Sequence, residues 1–298
     1  IANSKGGAAM NVRSPADRIF DIANYAVLTL FSLACLFPFF YVAAFSVTPY
    51  SEYLANPLKL IPSRLEFGAY QQIFDMPVIW SGYRNTILIT VIGVAINITL
   101  LLMSAYPLSK TDLKGRNVIL MLITFTMFFN GGLIPNFYLV KSLHLYNTLW
   151  SMILPGALTA YNLILMKNFV GAIPRDLEES AFMDGANELK VLWRIIIPLS
   201  KPAIATFVIF HAVTQWNTFF SAILYTSKRD LWPLMLILRD LVVEDGGIAR
   251  DVMDSAANVS TFTVKMAVII AATLPIIVVY PFLQRFFMKG LLVGSIKG

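Results

Sequence analysis

The chain alternates long apolar runs with short charged segments. Six runs contain no Asp, Glu, Lys or Arg, at 22–51, 85–109, 117–140, 142–166, 202–227 and 266–284. Each meets the length of roughly 18 residues that a membrane-crossing helix requires. An ionised side chain at the bilayer centre costs about 2.5–3.5 kcal/mol on the insertion scale, so charges belong in the segments between spans. The pattern predicts an all-α membrane protein with six transmembrane helices, over about 22–47, 84–107, 118–140, 147–168, 203–226 and 260–284. Composition agrees, because 57% apolar and 13% charged residues over 298 positions are too hydrophobic for a soluble domain of this size. A secretory signal peptide is a poor account of the first run, which is too long and has no small-residue cleavage site in a fitting position. Every polar segment is shorter than about 40 residues and returns to the membrane, so residues 1–298 read as a single transmembrane domain.

An even number of spans puts both termini on one side, and Lys and Arg select that side. The N-terminus, 110–116, 167–201 and the C-terminus together carry 14 Lys and Arg against 8 acids, whereas the opposite face carries 9 against 9. The formal charge of +6 therefore lies on one face, which is assigned to the cytoplasm together with both termini. A basic excess distributed this way argues against nucleic acid as its reason. Cys35 is the sole cysteine and falls in the first run, which excludes an internal disulfide or a Cys cluster for zinc or iron–sulfur. His144 and His211 lie on different segments, a poor basis for a metal site.

Proline and glycine mark the interruptions. The external segment 48–82 contains Pro49, Pro57, Pro62 and Pro77 with Tyr53, Tyr70 and Trp80, the make-up of an irregular cap near the interface. In a second external segment, 228–258, Trp232-Pro233 opens an amphipathic stretch to Leu241, and Glu244-Asp245-Gly246-Gly247 reads as an exposed turn. Asn130-Gly131-Gly132 and Pro135 break the third span, whose freed backbone groups need protein or water as partners. No repeat of fixed period is visible.

The segment 171–200 has a different character, that of a charged helical hairpin between two apolar spans. Pro174 and the acids Asp176, Glu178 and Glu179 suit a helix N-terminus. Leu177, Ala181, Leu189 and Leu192 supply an apolar side, and Gly185 permits either a close backbone approach or a sharp bend between two short helices. Ser200 and Lys201 before Pro202 form an entry to the next helix. A plain connecting loop would explain the charges but not this spacing.

The string Glu179-Ser180-Ala181-x3-Gly185-x9-Ile195-x-Ile197-Pro198 resembles the EAA loop of bacterial ABC importer permeases. Ser180 stands where the family usually has a second Ala, and Ile197 where it usually has Leu. Asp184-Gly185-Ala186, Trp216-Asn217 and the ending Gly290-Leu291-Leu292-Val293-Gly294-Ser295-Ile296-Lys297-Gly298 are similar to the maltose-type sugar branch of that family. Asn130-Gly131-Gly132-Leu133-Ile134-Pro135 looks like permeases for acidic or complex oligosaccharides, alginate among them. The resemblance implies the type I ABC importer permease fold in the bacterial inner membrane. It implies a second homologous permease, two ATP-binding subunits and an external solute-binding protein as partners, and an oligosaccharide as substrate. It also implies ATPase coupling through Glu178, Glu179, Ser180, Ala181, Asp184, Gly185, Ile195 and Pro198. Glu179 would make charged contacts, Ala181 would approach closely and Gly185 would allow the bend.

The chain shows no G-x-x-x-x-G-K-[ST] phosphate loop, so ATP and Mg are expected on the partner subunits and no cofactor or metal on this chain. No nucleophile has a neighbouring base, because His211 faces Gln215 one turn on, and the chain is not expected to be an enzyme. Gln215, Trp216 and Asn217, near the middle of the fifth span, and Asn130 on the third offer amide and aromatic groups to a sugar. They are equally suited to hold helices together. Asn97, Asn162 and His211 favour the latter role, and Lys265 favours snorkelling over attraction of an anionic sugar. The alternative, a transporter driven by an ion gradient, would call for an ionisable residue within the spans, and these runs have almost none.

Overall fold

The computed structural model describes residues 15–57, 59–243, 247–248 and 260–295; Glu244, Asp245 and Gly246 of the expected turn and Ile296-Lys297-Gly298 of the ending lie outside them. Among the described residues every regular element is helical. In chain order these are α1 (Pro15–Phe45), α2 (Tyr50–Ala55), α3 (Gly68–Asp75), α4 (Pro77–Ser109), α5 (Arg116–Phe128), α6 (Leu133–Ser142), α7 (Trp150–Ile153) and α8 (Ala160–Gly171). They continue as α9 (Asp176–Met183), α10 (Glu188–Val191), α11 (Ile197–Leu199), α12 (Lys201–Trp216), α13 (Phe220–Tyr225), α14 (Leu234–Val242) and α15 (Thr261–Ser295). Within them Asp17–Phe45, Pro77–Ser109 and Thr261–Val279 are long and apolar enough to cross a membrane unaided.

The remaining apolar runs are broken. α5 and α6 meet at 118° through Asn130-Gly131-Gly132, where Gly132 has φ +87° and its N–H donates to Asn130 Oδ1 at 2.9 Å. The fourth run is two short helices, α7 and α8, because Pro155 and Gly156 fall between them. α12 ends at Trp216 and helix resumes only at Phe220.

α4 is the member around which these pieces assemble. Its 33 residues span about 50 Å at the usual rise per residue. Three apolar clusters lie along it. At its start Ile79 joins Ala69 and Ile73 of α3, Ile237 and Leu241 of α14, and Val264, Ala267 and Val268 of α15. Midway, Ile89 meets Met152 and Ile153 of α7, Ala222 of α13 and Leu236 of α14. At its end Leu101, Leu102, Ala105 and Leu108 join Leu163, Met166 and Val170 of α8, Val191 and Leu192 of the hairpin, and Phe207 of α12.

The buried polar residues of α4 serve the breaks in its neighbours. Asn85 Nδ2 donates to the carbonyls of Asp230 at 2.7 Å and Trp232 at 3.2 Å, and Thr86 Oγ1 accepts from the Leu234 N–H at 2.8 Å. Asn97 Nδ2 donates to the Ala157 carbonyl at 2.6 Å, in the gap between α7 and α8. Asn97 is thus interhelical glue, as expected of it. α1 is another matter: from Ile19 to Phe40 its large apolar side chains stay exposed in the single chain, so lipid or another chain must cover them.

The segment between α1 and α4 is packed. Tyr53 stacks on Phe262 of α15 at 4.3 Å between ring centroids, and Ser46 Oγ hydrogen-bonds the Tyr70 hydroxyl at 2.8 Å. Glu52 receives the Lys59 ammonium at 2.6 Å and the Ser63 N–H at 2.9 Å. The Lys59 hydrogen bond, then that from Ser63, pulls the Glu52 carboxyl down to about 2. Because the folded value lies below the ordinary one, this clasp holds fully at neutral pH and is lost as pH falls through about 2. Glu52→Gln is therefore expected to raise amide exchange at Ser63 at neutral pH and to abolish its acid dependence, as measured by hydrogen–deuterium exchange.

Candidate functional site

Residues 172–200 form a two-limbed hairpin at the end of α4. α9 carries Asp176, Glu178 and Glu179 in its first turn, where carboxylates favour the positive end of the helix dipole. Its end is a Schellman turn: the Gly185 N–H donates to the Phe182 carbonyl at 3.0 Å and the Ala186 N–H to the Ala181 carbonyl at 2.9 Å. Gly185 sits at φ +79°, and an added Cβ there would meet nothing within 4 Å. Of the two roles open to Gly185, the structure selects the bend; no close backbone approach occurs.

The second limb starts at Asn187, whose Oδ1 accepts from the Lys190 N–H at 2.9 Å and caps α10. After Val191 the helix widens into one π turn, Leu192–Ile196. Pro198 accounts for it, since it lacks an N–H and its ring would clash with the Arg194 carbonyl four residues back. This limb then meets α12 at a bend of 79°.

The expected apolar side divides in two. Ala181 and Leu192 turn inward to the cluster at the end of α4, as Ile195 does, while Leu177 and Leu189 face outward. Met183, at 88% exposure, and Trp193, at 67%, are uncovered as well, although the pattern gave no sign of either. Glu179, Ser180, Asp184, Gly185 and Pro198 are exposed. Ser180 Oγ donates back to the Asp176 carbonyl at 2.7 Å.

Glu178 differs from the other residues grouped with it. It is 5% exposed and forms an ion pair with Lys110, the residue that caps α4. Its carboxylate faces inward onto Lys110, and sequence spacing gave no hint of a pair 68 residues apart. Tyr106, also unsuspected, sits 3.4 Å from Glu178 Oε2 and donates to Glu188 Oε2.

The amides of the fifth run are placed by α4 and α15. Gln215 is 4% exposed and fills the space left by Gly93, where an added Cβ would come within 2.7 Å of its Nε2. Its contacts are His211 Nε2 at 3.5 Å and Thr218 Oγ1 at 3.2 Å, so His211 bonds within its own helix and not between helices. Trp216 Nε1 donates to the Ala272 carbonyl of α15 at 3.2 Å. Both residues act as packing groups here, and they lie at the end of α12, not mid-helix. Asn217 is exposed, its Nδ2 donating to the Val213 carbonyl at 2.8 Å, and Asn130 is exposed at the α5–α6 elbow beside Asn136. Lys265 Nζ donates to the Val242 carbonyl at 3.1 Å and closes the end of α14.

Residues 102–293 match the family described as the binding-protein-dependent transport system inner membrane component. The chain is 44% identical over 284 residues to the polygalacturonan/rhamnogalacturonan transport system permease protein YtcP of Bacillus subtilis strain 168, covering 95% of this chain and 99% of that protein. It is 43% identical to protein LplC of the same organism, covering 95% and 96%. Among solved structures it superposes with TM-score 0.84 and 34% identity on a chain of a bacterial ABC transporter involved in the import of the acidic polysaccharide alginate, covering 92% of this chain and 98% of that one.

Two substitutions separate packing from bending. Gly93→Val is expected to destabilise the protein by about 1–3 kcal/mol, and Gln215→Ala in the same chain to restore part of the loss, by thermal melting in detergent. Gly185→Val is expected to cost about 1–2 kcal/mol because a β-branched residue resists φ +79°, whereas Gly185→Asn is tolerated; protection of the Ala186 amide reports the difference.

Proposed function

Because the chain belongs to the binding-protein-dependent transport system inner membrane component family, we propose that it is one permease subunit of an ATP-driven importer of acidic oligosaccharides. The carrying observation is the exposed face of the hairpin: a rigid, capped turn presenting Met183, Leu189 and Trp193 with Glu179 and Asp184 at its edge. Apolar side chains left uncovered on a charged segment call for a protein partner. An ATP-binding subunit is the partner that fits, since this chain has no phosphate loop of its own.

The protein is a multi-pass component of the inner membrane. We take it to cross six times, through α1, α4, the α5–α6 elbow, α7–α8, α12–α13 and α15, with both termini and the hairpin in the cytoplasm. The excess of Lys and Arg on that face supports this sidedness. A second, similar permease would complete the pathway and two ATP-binding subunits would dock below. An external solute-binding protein would meet the cap of α2, α3 and α14. Closing of the ATP-binding subunits then moves the hairpins and exposes the pathway to each side in turn.

Uronic acids link the named cargoes of the relatives. A polygalacturonan and alginate are both carboxylate-bearing polysaccharides, so the substrate class is an acidic oligosaccharide, alginate-derived chains among them. Asn217 and Asn130, the exposed members of the amide set, are the candidates to line the path; Gln215 and Trp216 act by holding α12 against α4 and α15.

The test is uptake by the complete complex in proteoliposomes with ATP inside and the ion gradients collapsed. Import of galacturonan- or alginate-derived oligomers should continue, and import that stops would show an ion-driven transporter instead. Met183→Asp combined with Trp193→Asp is expected to lower uptake about tenfold or more while the chain remains in the membrane, as charge on both apolar anchors removes roughly 1.4 kcal/mol or more of docking energy.

A further inference from the structure

The hairpin is joined to the membrane helices by two bends. At one end the turn 172–175 follows α8, and at the other the 79° elbow precedes α12. Neither joint is continuous helix, so a push on the hairpin cannot pass along the chain as it would along a rod. It passes through side contacts with α4, α8 and α12, and of these α4 supplies the charged hydrogen bonds. The apolar part of those contacts is non-directional and permits sliding. Charged hydrogen bonds fix register and angle.

Two of those bonds come from one turn of α4, and a third runs from Arg175 Nη2 of the hairpin to Thr111 Oγ1 just beyond it, at 2.8 Å. Tyr106 and Lys110 are four residues apart and share a face. Between them they reach both limbs: the Tyr106 hydroxyl donates to Glu188 Oε2 of α10 at 2.5 Å, and the Lys110 ammonium pairs with Glu178 Oε2 of α9. Lys110 Nζ also lies 4.6 Å from the Tyr106 ring centroid and 5.7 Å from that of Phe182. The Glu178 side chain is 7% exposed, and a carboxylate so far from water needs its cation. Two carboxylates, one from each limb, thus converge on a single phenol, and Glu178 also on the ammonium. Without the ammonium the buried Glu178 carboxylate loses its ion-pair partner.

We propose that Tyr106, Lys110, Glu178 and Glu188 form a clamp that locks the angle of the hairpin to α4, with Lys110 as the positioning residue that converts movement of the hairpin into movement of α4. The clamp acts after docking and rests on the docking role proposed above.

The experiment uses the whole complex in proteoliposomes, with Cys35→Ser removing the native thiol and Lys190→Cys, at an exposed position given no docking role, reporting docking by cross-linking to the ATP-binding subunit. Lys110→Met is expected to lower import about tenfold while ATP hydrolysis and the cross-link persist. Lys110→Met with Glu178→Gln should recover at least about a third of the lost import, since the unpaired charge is then gone, and Lys110→Arg should retain most of it. Tyr106→Phe, which removes only a hydroxyl, should give an intermediate loss and serves where Lys110→Met fails to assemble. Wild-type import by Lys110→Met or Tyr106→Phe overturns the clamp, as does a double variant no better than Lys110→Met alone. Absence of the cross-link in the Lys190→Cys parent would instead overturn the docking reading.

Discussion

Inside a bilayer a backbone amide or carbonyl without a partner costs several kcal/mol, and this chain breaks three of its six apolar runs. α4 is what makes that tolerable. It is the long unbroken helix at the centre of the clusters, and its polar side chains are spent on other segments' backbone: Asn85 on Asp230 and Trp232, Thr86 on Leu234, Asn97 on Ala157. The elbow at Asn130 and the junction at Asn147 use the same device without α4, Asn147 Oδ1 accepting from the Ser227 N–H at 2.7 Å. Asparagine in these runs is therefore a structural reagent first. That changes how polar residues in the spans are read, since burial at 0% with a bond to a distant carbonyl marks Asn97 as architecture, whereas Asn130 and Asn217 are exposed and bond only nearby groups.

The same helix unites the two ends of the molecule. Its first turns hold α3, α14 and α15 through Ile79, and its last turn holds the hairpin through Leu108, Tyr106 and Lys110. A member about 50 Å long that is packed at both ends transmits displacement with little loss, because packed interiors are incompressible. Broken spans on either side supply the joints. A machine that exposes a path alternately to two sides needs both properties, a stiff strut and hinged neighbours.

How much of this was legible depended on range. Helical character, the apolar runs and the bends at Gly132 and Gly185 followed from local chemistry, namely charge-free stretches and glycines next to caps. The π turn at 192–196 was implicit in Pro198, but the pattern alone does not say whether a proline kinks, ends or widens a helix. The interruption at Pro155-Gly156 was likewise written in the chain and masked by the length of the apolar run around it. Long-range pairs left no trace: nothing local distinguishes Glu178 from Glu179, yet one is buried on Lys110 and the other exposed. The same holds for Gln215, whose depth suited a sugar contact and helix packing equally and which the structure seats against Gly93.

The adjacent pair Glu178 and Glu179 shows why a motif is a poor guide to individual roles. On a helix, neighbours in sequence point about 100° apart, so a hairpin docked on one side and exposed on the other necessarily gives consecutive carboxylates opposite fates. Glu178 spends its charge inward, where desolvation makes the Lys110 bond directional and strong, while Glu179 keeps its charge in water, where it can steer a partner but contributes little to the fold. The motif's acidic character thus serves two ends at once, holding the hairpin to α4 and presenting its outer face. A bend at Gly185 that meets no neighbour, next to Met183 with almost none of its surface covered, is consistent with an element shaped for something outside this chain. What the fold supplies is the fixed angle at which that face is offered.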